Sequence, residues 1–177
     1  MKLVILDRDG VINQDSPSYI KSPEEWKPIP GSLEAIARLT QSGFHVVVAT
    51  NQSGVGRGLF EMATLNAIHD KMHRAAGQAG GRIDAVFFCP HAQEADCNCR
   101  KPKPGLLEDI ARRFNANLKA VPCIGDSLRD LEAAAAVGAQ PVLVLTGKGA
   151  KTRREDRLPP GTLVFSDLAE AVKSITK

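Results

Sequence analysis

The chain has 177 residues, with 23 Lys and Arg against 20 Asp and Glu and a formal charge of +3. That length suits one domain with its own core, and the slight positive balance suits anionic ligands while lacking the dense basic stripe of a nucleic-acid binder. No apolar run approaches a membrane span, and the opening stretch Leu3 to Leu6 is too short for a signal peptide, so the expected compartment is the cytoplasm, where the four cysteines stay reduced.

Short apolar runs alternate with helical patterns along the chain. Leu3–Leu6 reads as a first strand that stops abruptly at Asp7-Arg8-Asp9-Gly10. The polar, proline-bearing stretch Asn13–Pro30 reads as a long loop over that strand end. Ser32 is placed as the N-cap of a helix over Ser32–Gln41, with Leu33, Ile36, Ala37 and Leu39 at helical spacing and Gly43 as its left-handed stop. A strand over His45–Thr50, a helix over Met62–Ala76 and a strand over Ala85–Cys89 follow, then a second long loop from Cys89 to Gly105. A helix over Leu106–Phe114 leads to a strand over Val121–Gly125, in which Cys123 reads as a packed core thiol. The pattern closes with a helix over Leu128–Val137 ending at Gly138, strands over Val142–Leu145 and Leu163–Phe165, and a helix over Leu168–Ile175. The charged run Lys148–Arg157 reads mostly as a solvated connection.

This alternation predicts an α/β fold with a Rossmann-like, doubly wound, mainly parallel sheet, organised as one domain over residues 1–177. Neither long loop can hold an inserted cap domain. Access to any site therefore falls to Asn13–Pro30 and the cysteine loop, and a monomer is expected.

In open α/β sheets ligands bind beyond the carboxyl ends of the strands. Four such ends carry chemistry here. Asp7 and Asp9 end the first, where they can hold a cation and attack an electrophile, although Asp-Gly also marks tight turns. Thr50-Asn51-Gln52-Ser53-Gly54 ends the second, where a hydroxyl and consecutive N–H groups make an anion nest or an ordinary polar turn. Arg100-Lys101-Pro102-Lys103 precedes a helix and can neutralise a phosphate, with Lys103 read as surface charge. Gly125-Asp126-Ser127-Leu128-Arg129-Asp130 places two more acids at a strand-to-helix turn, where Asp126 reads either as a ligand or as a helix cap. Jointly, the four tips supply what a phosphate monoester needs: charge masking, a placed nucleophile and a proton donor for the leaving oxygen.

The loop between Cys89 and Gly105 has its own inventory. Cys89, His91, Cys97 and Cys99 match the three thiolates and one imidazole of a closed tetrahedral zinc site. A filled site is structural, and Cys99 lies next to Arg100 and Lys101, so zinc would hold those cations in place. Arg57, Arg100 and Lys148 are candidate partners for a second phosphate, since arginine forks match phosphate oxygens.

The motifs Asp7-x-Asp9-Gly10, Thr50, Lys101 and Gly125-Asp126-x-x-x-Asp130, in that order, resemble the haloacid dehalogenase superfamily of phosphatases. The resemblance implies a HAD-like fold with Asp7 as nucleophile and Asp9 as acid and then base. It also implies Mg²⁺ on Asp7, the Asp9 carbonyl and Asp126. Thr50 and the Asn51 N–H would grip phosphoryl oxygens with Ser53 nearby, Lys101 would stabilise charge, and Asp130 would orient Lys101 or the loop. Asp9 is expected to become protonated beside the dianionic substrate.

Zinc-loop members with Cys-x-His and Cys-x-Cys-Arg-Lys-Pro include heptose 1,7-bisphosphate phosphatases and histidinol-phosphate phosphatases. Asn51 to Gly58, Lys101 to Gly105 and Thr146-Gly147-Lys148 look more like the heptose group; the histidinol group resembles Asn-Gln-Asp-Gly where this chain has Ser53. The loop between His91 and Cys97 is shorter than in many heptose members. That likeness implies a small phosphorylated sugar as substrate, cleaved at its C7 phosphate through an aspartyl phosphate, in ADP- or GDP-heptose precursor synthesis. A phospho-acceptor receiver domain also uses acids, Thr and Lys at strand ends, but has no evident place for the zinc loop. A zinc nucleic-acid module is disfavoured by sparse aromatics and the missing basic ridge.

Overall fold

A computed structural model describes residues 1–177. Six parallel strands form one sheet in the order β3-β2-β1-β4-β5-β6. They are β1 (Lys2–Leu6), β2 (Phe44–Asn51), β3 (Ala85–Cys89), β4 (Pro122–Gly125), β5 (Gln140–Val144) and β6 (Leu163–Phe165). Helices α1 (Ser32–Gln41), α2 (Ser53–Gly56), α3 (Met62–Gln78), α4 (Gly105–Phe114), α5 (Leu128–Ala136), α6 (Gly149–Arg154) and α7 (Leu168–Ile175) connect them. The Rossmann-like, doubly wound α/β arrangement matches the pattern reading.

β1 is the reason the site forms where it does. From β1 the chain winds outward through β2 and β3, then returns to lay β4 on the other flank of β1. The strand order reverses there, and a crevice opens between the two loops that leave in opposite directions. β1 and β2 read as near-continuous apolar runs because both faces are covered. Val4, Leu6, Val46 and Val48 point into one core with α1, α3 and α7, while Leu3, Ile5, Val47 and Ala49 point into the other with α4 and α5.

Several local expectations are corrected. Ser32 is the first residue inside α1, not its cap; Gly31 caps with φ 89°, and Ser32 Oγ instead donates to the Val11 carbonyl at 2.8 Å. Asp126 is not a helix cap either: Ser127 holds that place at the start of α5, and the Asp130 carboxylate accepts from its backbone N–H at 3.1 Å. The run Lys148–Arg157 contains α6 rather than a plain solvated connection. Its pattern hides it, because Gly149 and Thr152 are the only buried residues it offers. Thr152 Oγ1 donates to the Asp126 carbonyl at 2.8 Å, so this helix braces the fourth strand end.

Two expectations hold: Gly43 adopts φ 86° after α1, and Cys123 is buried among apolar side chains. The loop Asn13–Pro30 is pinned over the end of β1. Gln14 N–H donates to the Lys27 carbonyl, Ile29 N–H to the Ile12 carbonyl, and Trp26 is buried beneath it.

Candidate active site

The four strand ends meet in one cleft of about 230 Å³. Asp7, Asp9, Thr50, Asn51, Ser53, Arg57, Arg100, Lys101, Asp126 and Lys148 all line it, and of 18 lining residues only one is hydrophobic. Such a wall suits a highly polar ligand rather than an apolar one.

Lys101 sits at the floor. Its Nζ lies 2.7 Å from Asp130 Oδ1, 3.3 Å from Asp7 Oδ1 and 2.7 Å from the Ala49 carbonyl. Burial opposes its charge, but Asp130 and Asp7 outweigh that and raise its pKa, so the ammonium persists. The Asn51 side chain fixes the Lys101 backbone from both sides, accepting from its N–H at 3.0 Å and donating to its carbonyl at 3.1 Å. Asn51 therefore spends its side chain on holding Lys101, which leaves its backbone for any ligand.

Asp7, Asp126 and Asp130 bring carboxylate oxygens within 4.8 Å of one another, all three buried. Burial, then the charge of Asp130, pushes the Asp7 carboxyl up to about 8 against the pull of Lys101. The same two causes push Asp126 up to about 7. Crowded, dry carboxylates of this kind suit a hard divalent cation, which offsets their repulsion through oxygen ligands. Asp130 is committed to Lys101 and to the Ser127 N–H, which leaves Asp7 and Asp126 facing the cleft. Asp126 is aimed by Ser127 Oγ at 3.3 Å and by the Lys148 N–H at 2.9 Å. Gly10 and Gly147, at φ 83° and 55°, let the backbone close around it; a Cβ on either would lie 2.0 or 2.3 Å from Asp126 Oδ2.

The Asp9 carboxylate is not part of that group. It accepts from Arg8, Asn13 and Gln52. Burial pushes its pKa up, but the Arg8 charge and these hydrogen bonds outweigh it, so the carboxyl lies below its ordinary range. In the free site Asp9 is thus held ionised, which differs from its expected protonation beside a bound dianion. Gln52 Nε2 bridges Asp9 Oδ2 at 3.2 Å and Thr50 Oγ1 at 3.0 Å, linking the first two strand ends.

The outer wall is basic. Arg57 reaches Gln93 at 3.3 Å, and Lys148 Nζ lies 3.5 Å from Asp15 across the mouth. Arg129 joins them, a residue to which the sequence pattern assigns no role. Burial, then the neighbouring charge of Arg129, lowers the Arg100 pKa, and Arg100 Nη1 is buried without a partner. An unpartnered guanidinium nitrogen among cations is a site in want of an anion. Arg8, His69 and Gln52 were also missed. Arg8 carries no strand signal, because it sits in a bend just past the end of β1.

Cys89, His91, Cys97 and Cys99 converge in the second long loop, every ligand atom within 4.8 Å of the others. Cys89 Sγ lies 3.8 Å from Cys97 Sγ and 3.3 Å from His91 Nδ1, and His91 Nδ1 lies 3.2 Å from Cys99 Sγ. Zinc–thiolate bonds of about 2.3 Å give tetrahedron edges of roughly 3.8 Å, which the Cys89–Cys97 distance matches while Cys89 and Cys99 lie closer, at 2.6 Å; three thiols and one imidazole are the donor set of one such ion. The loop is closed tightly: Gly105 N–H donates to the Asn98 carbonyl, and a Cβ at Gly105 would lie 2.2 Å from that oxygen.

The fold and cleft define a phosphatase of the haloacid dehalogenase class, a phosphoric monoester hydrolase. Two family models match: HAD-hydrolase-like over residues 98–171, and polynucleotide kinase 3 phosphatase over residues 2–129. A D-glycero-beta-D-manno-heptose-1,7-bisphosphate 7-phosphatase of Bordetella bronchiseptica is 61% identical over 99% of this chain and 98% of its own. One of that name from Neisseria meningitidis is 56% identical over 96% and 92%. The crystal structure of the D,D-heptose 1,7-bisphosphate phosphatase of B. bronchiseptica, complexed with magnesium and phosphate, superposes with a TM-score of 0.98 at 60% identity, covering 99% of this chain and 98% of that one. The chain belongs to the family of D-glycero-beta-D-manno-heptose-1,7-bisphosphate 7-phosphatases.

Proposed function

We propose that this chain removes the C7 phosphate of D-glycero-β-D-manno-heptose 1,7-bisphosphate through an aspartyl-phosphate intermediate, supplying heptose precursors in the cytoplasm as a monomeric, single-domain enzyme. The observation that carries this reading is one cleft with Asp7, Thr50, Lys101 and Asp126 at its floor and Arg57, Arg100, Arg129 and Lys148 on its outer wall. A bisphosphate has one group for each.

Asp7 attacks phosphorus, and the bond from phosphorus to the sugar oxygen breaks. The departing oxygen takes a proton from Asp9. A water then gives a proton back to Asp9 as its oxygen attacks the same phosphorus, the bond to Asp7 breaks, and phosphate leaves. The lowered pKa of Asp9 in the free site keeps it ionised, the form that can accept the proton of water. A phosphoryl dianion beside it opposes the Arg8 charge and favours the protonated form needed earlier. Lys101 and Thr50 hold the phosphoryl oxygens, with the Asn51 N–H and Ser53 beside them. Asp7, the Asp9 carbonyl and Asp126 hold Mg²⁺, which when bound masks phosphoryl charge and fixes its orientation.

Cys89, His91, Cys97 and Cys99 hold a structural Zn²⁺ that sets the position of Arg100 and Lys101. Arg57, Arg100, Arg129 and Lys148 take the phosphate that is not cleaved. The test is a phosphate-release screen with Mg²⁺ on both heptose 1,7-bisphosphate anomers, fructose 1,6-bisphosphate and histidinol phosphate. Preference for a heptose bisphosphate is expected; preference for histidinol phosphate would overturn the assignment.

A further inference from the structure

We propose that Arg8 and His69 form a positioning pair for Asp9: Arg8 occupies Asp9 Oδ1, His69 holds the guanidinium in that orientation, and Oδ2 is thereby presented to the leaving oxygen. This rests on the reading of Asp9 as the acid and base.

The two oxygens of Asp9 are treated very differently. Oδ1 accepts from Arg8 Nε at 2.9 Å and from Asn13 Nδ2 at 2.9 Å, and lies 2.8 Å from Arg8 Nη2. Oδ2 has one neutral donor, Gln52 Nε2 at 3.2 Å. An oxygen that already accepts from the Arg8 Nε–H and the Asn13 amide has no lone pair left for a proton, whereas Oδ2 keeps one. Proton exchange with a sugar oxygen or a water is therefore confined to Oδ2.

Arg8 has 0% of its side chain exposed. Arginine is rarely buried so fully, and apolar side chains of similar volume would pack here at no greater cost. What an apolar residue lacks is the charge and the Nε–H that Arg8 gives to Asp9. Arg8 could still swing about its long stem, and His69 prevents that. His69 sits on α3, 61 residues away, buried, and its Nε2 lies 3.1 Å from Arg8 Nη1. Guanidinium only donates, so His69 Nε2 accepts, and the ring is the neutral tautomer with its proton on Nδ1. The Phe88 ring lies beside it, with centroids 6.2 Å apart and the two rings tilted. A helix is thus tied through one guanidinium to one oxygen of the site.

The test compares leaving groups. A sugar alkoxide needs a proton to depart, whereas p-nitrophenolate does not. Single-turnover cleavage of a heptose phosphate and the nitrophenolate burst from p-nitrophenyl phosphate are measured at saturating Mg²⁺, with Mg²⁺ affinity alongside. Arg8→Lys and His69→Leu should lose about tenfold or more on the sugar ester and less than about threefold on the burst, with Mg²⁺ affinity unchanged. His69→Gln, whose amide oxygen can accept from Arg8, should recover most of the loss. Parallel losses on both substrates, or wild-type cleavage of the sugar ester, would overturn the pair. If His69→Leu does not fold, the contrast between Arg8→Lys and His69→Gln decides in the same way. Asp9→Asn separates the two levels. Selective loss there with wild-type behaviour in the Arg8 and His69 variants sinks only the pair, whereas no selective loss in Asp9→Asn sinks the acid and base reading itself.

Discussion

Lys101 Nζ and Asp130 Oδ1 are 2.7 Å apart, and both side chains are buried. The other Asp130 oxygen accepts from the Ser127 N–H at the start of α5, so Asp130 ties the lysine of one long loop to the helix after β4. Gly125 makes room for this pair, since a Cβ there would lie 2.3 Å from Asp130 Cβ. Asp130 thus holds Lys101 while its carboxylate also lies within 4.8 Å of those of Asp7 and Asp126.

Removing only the lysine should therefore be costly in two currencies. Lys101→Met leaves Asp130 and Asp7 buried without their counter-charge, a loss of about 3–5 kcal/mol for breaking a buried pair. It also removes a cation from the phosphoryl group, worth about 10²–10³ in kcat. The double variant Lys101→Met, Asp130→Asn should regain much of the stability and none of the rate. Denaturant melts and steady-state kinetics on the three proteins check this; recovery of activity in the double variant would refute the role given to Lys101.

The crowded acids give a pH dependence with a definite sign. Asp7 and Asp126 are pushed up to about 8 and about 7, each by burial first and Asp130 next. Both pKa values lie above an ordinary aspartate near 3.9. Each raised carboxyl favours folding while protonated, so its contribution is complete below about pH 4 and is lost as pH rises through 7 to 8. In magnesium-free buffer, Asp126→Asn should melt higher than wild type at pH 8.5, and the difference should shrink as pH falls and vanish below about pH 4. Adding Mg²⁺ should narrow that gap at pH 8.5, stabilising wild type by about 2.7 kcal/mol at a hundredfold excess over Kd. Calorimetry across that range decides; a wild type already more stable at pH 8.5 without Mg²⁺ would contradict the electrostatic account.

Asp7→Asn should follow the same stability trend while losing turnover by about 10³-fold or more, because an amide does not attack phosphorus as a carboxylate does. Substantial residual kcat, with deamidation excluded by mass, would remove Asp7 from the nucleophile's role. A gain in stability at the expense of function is the mark of a site held under strain for its chemistry.

What the residues revealed beforehand was the material at the strand ends, since acids and hydroxyls interrupting apolar runs are visible in any strand pattern. Asp7, Thr50 and Asp126 were legible for that reason, Lys101 from the basic run before a helix, and the Cys89, His91, Cys97 and Cys99 cluster from local spacing alone. Residues acting from a distance were not. His69 reads as one polar position on an amphipathic helix, and its link to Arg8 depends on how α3 crosses the sheet. Arg129 reads as an exposed helix residue until α5 is placed beside the cleft. Helix α6 was invisible because its role is a Thr152 hydroxyl and a Gly149 backbone contact, neither of which makes an apolar period.

The Cys/His loop tests the proposed zinc site. Cys99 is covalently followed by Arg100 and Lys101, and the Lys103 ammonium donates to the Cys97 carbonyl at 2.8 Å. Cys99→Ser should lower zinc content to below one ion per chain. It should also cut kcat by about tenfold or more through displacement of Lys101, as supporting contacts of a site commonly do. Metal content by mass spectrometry and kinetics on the same preparation test both halves. Full activity in verifiably zinc-free protein would show that the loop holds its shape without the ion.

The basic outer wall separates two ways of using charge. If Arg129 and Arg100 grip the phosphate that is not cleaved, Arg129→Ala should raise KM for a heptose bisphosphate by about ten- to a hundredfold, the value of one charge-assisted hydrogen bond of 1.5–3 kcal/mol. The same variant should change KM for the corresponding 7-monophosphate little, because that substrate has nothing to place against the wall. Arg57→Ala should show the same split more weakly, since its guanidinium is exposed and reaches only Gln93. Raising salt should weaken bisphosphate binding in wild type more than in Arg129→Ala, as screening acts on the charge the variant has lost. Equal losses on both substrates would mean that the arginines attract any anion toward the mouth without reading the second phosphate.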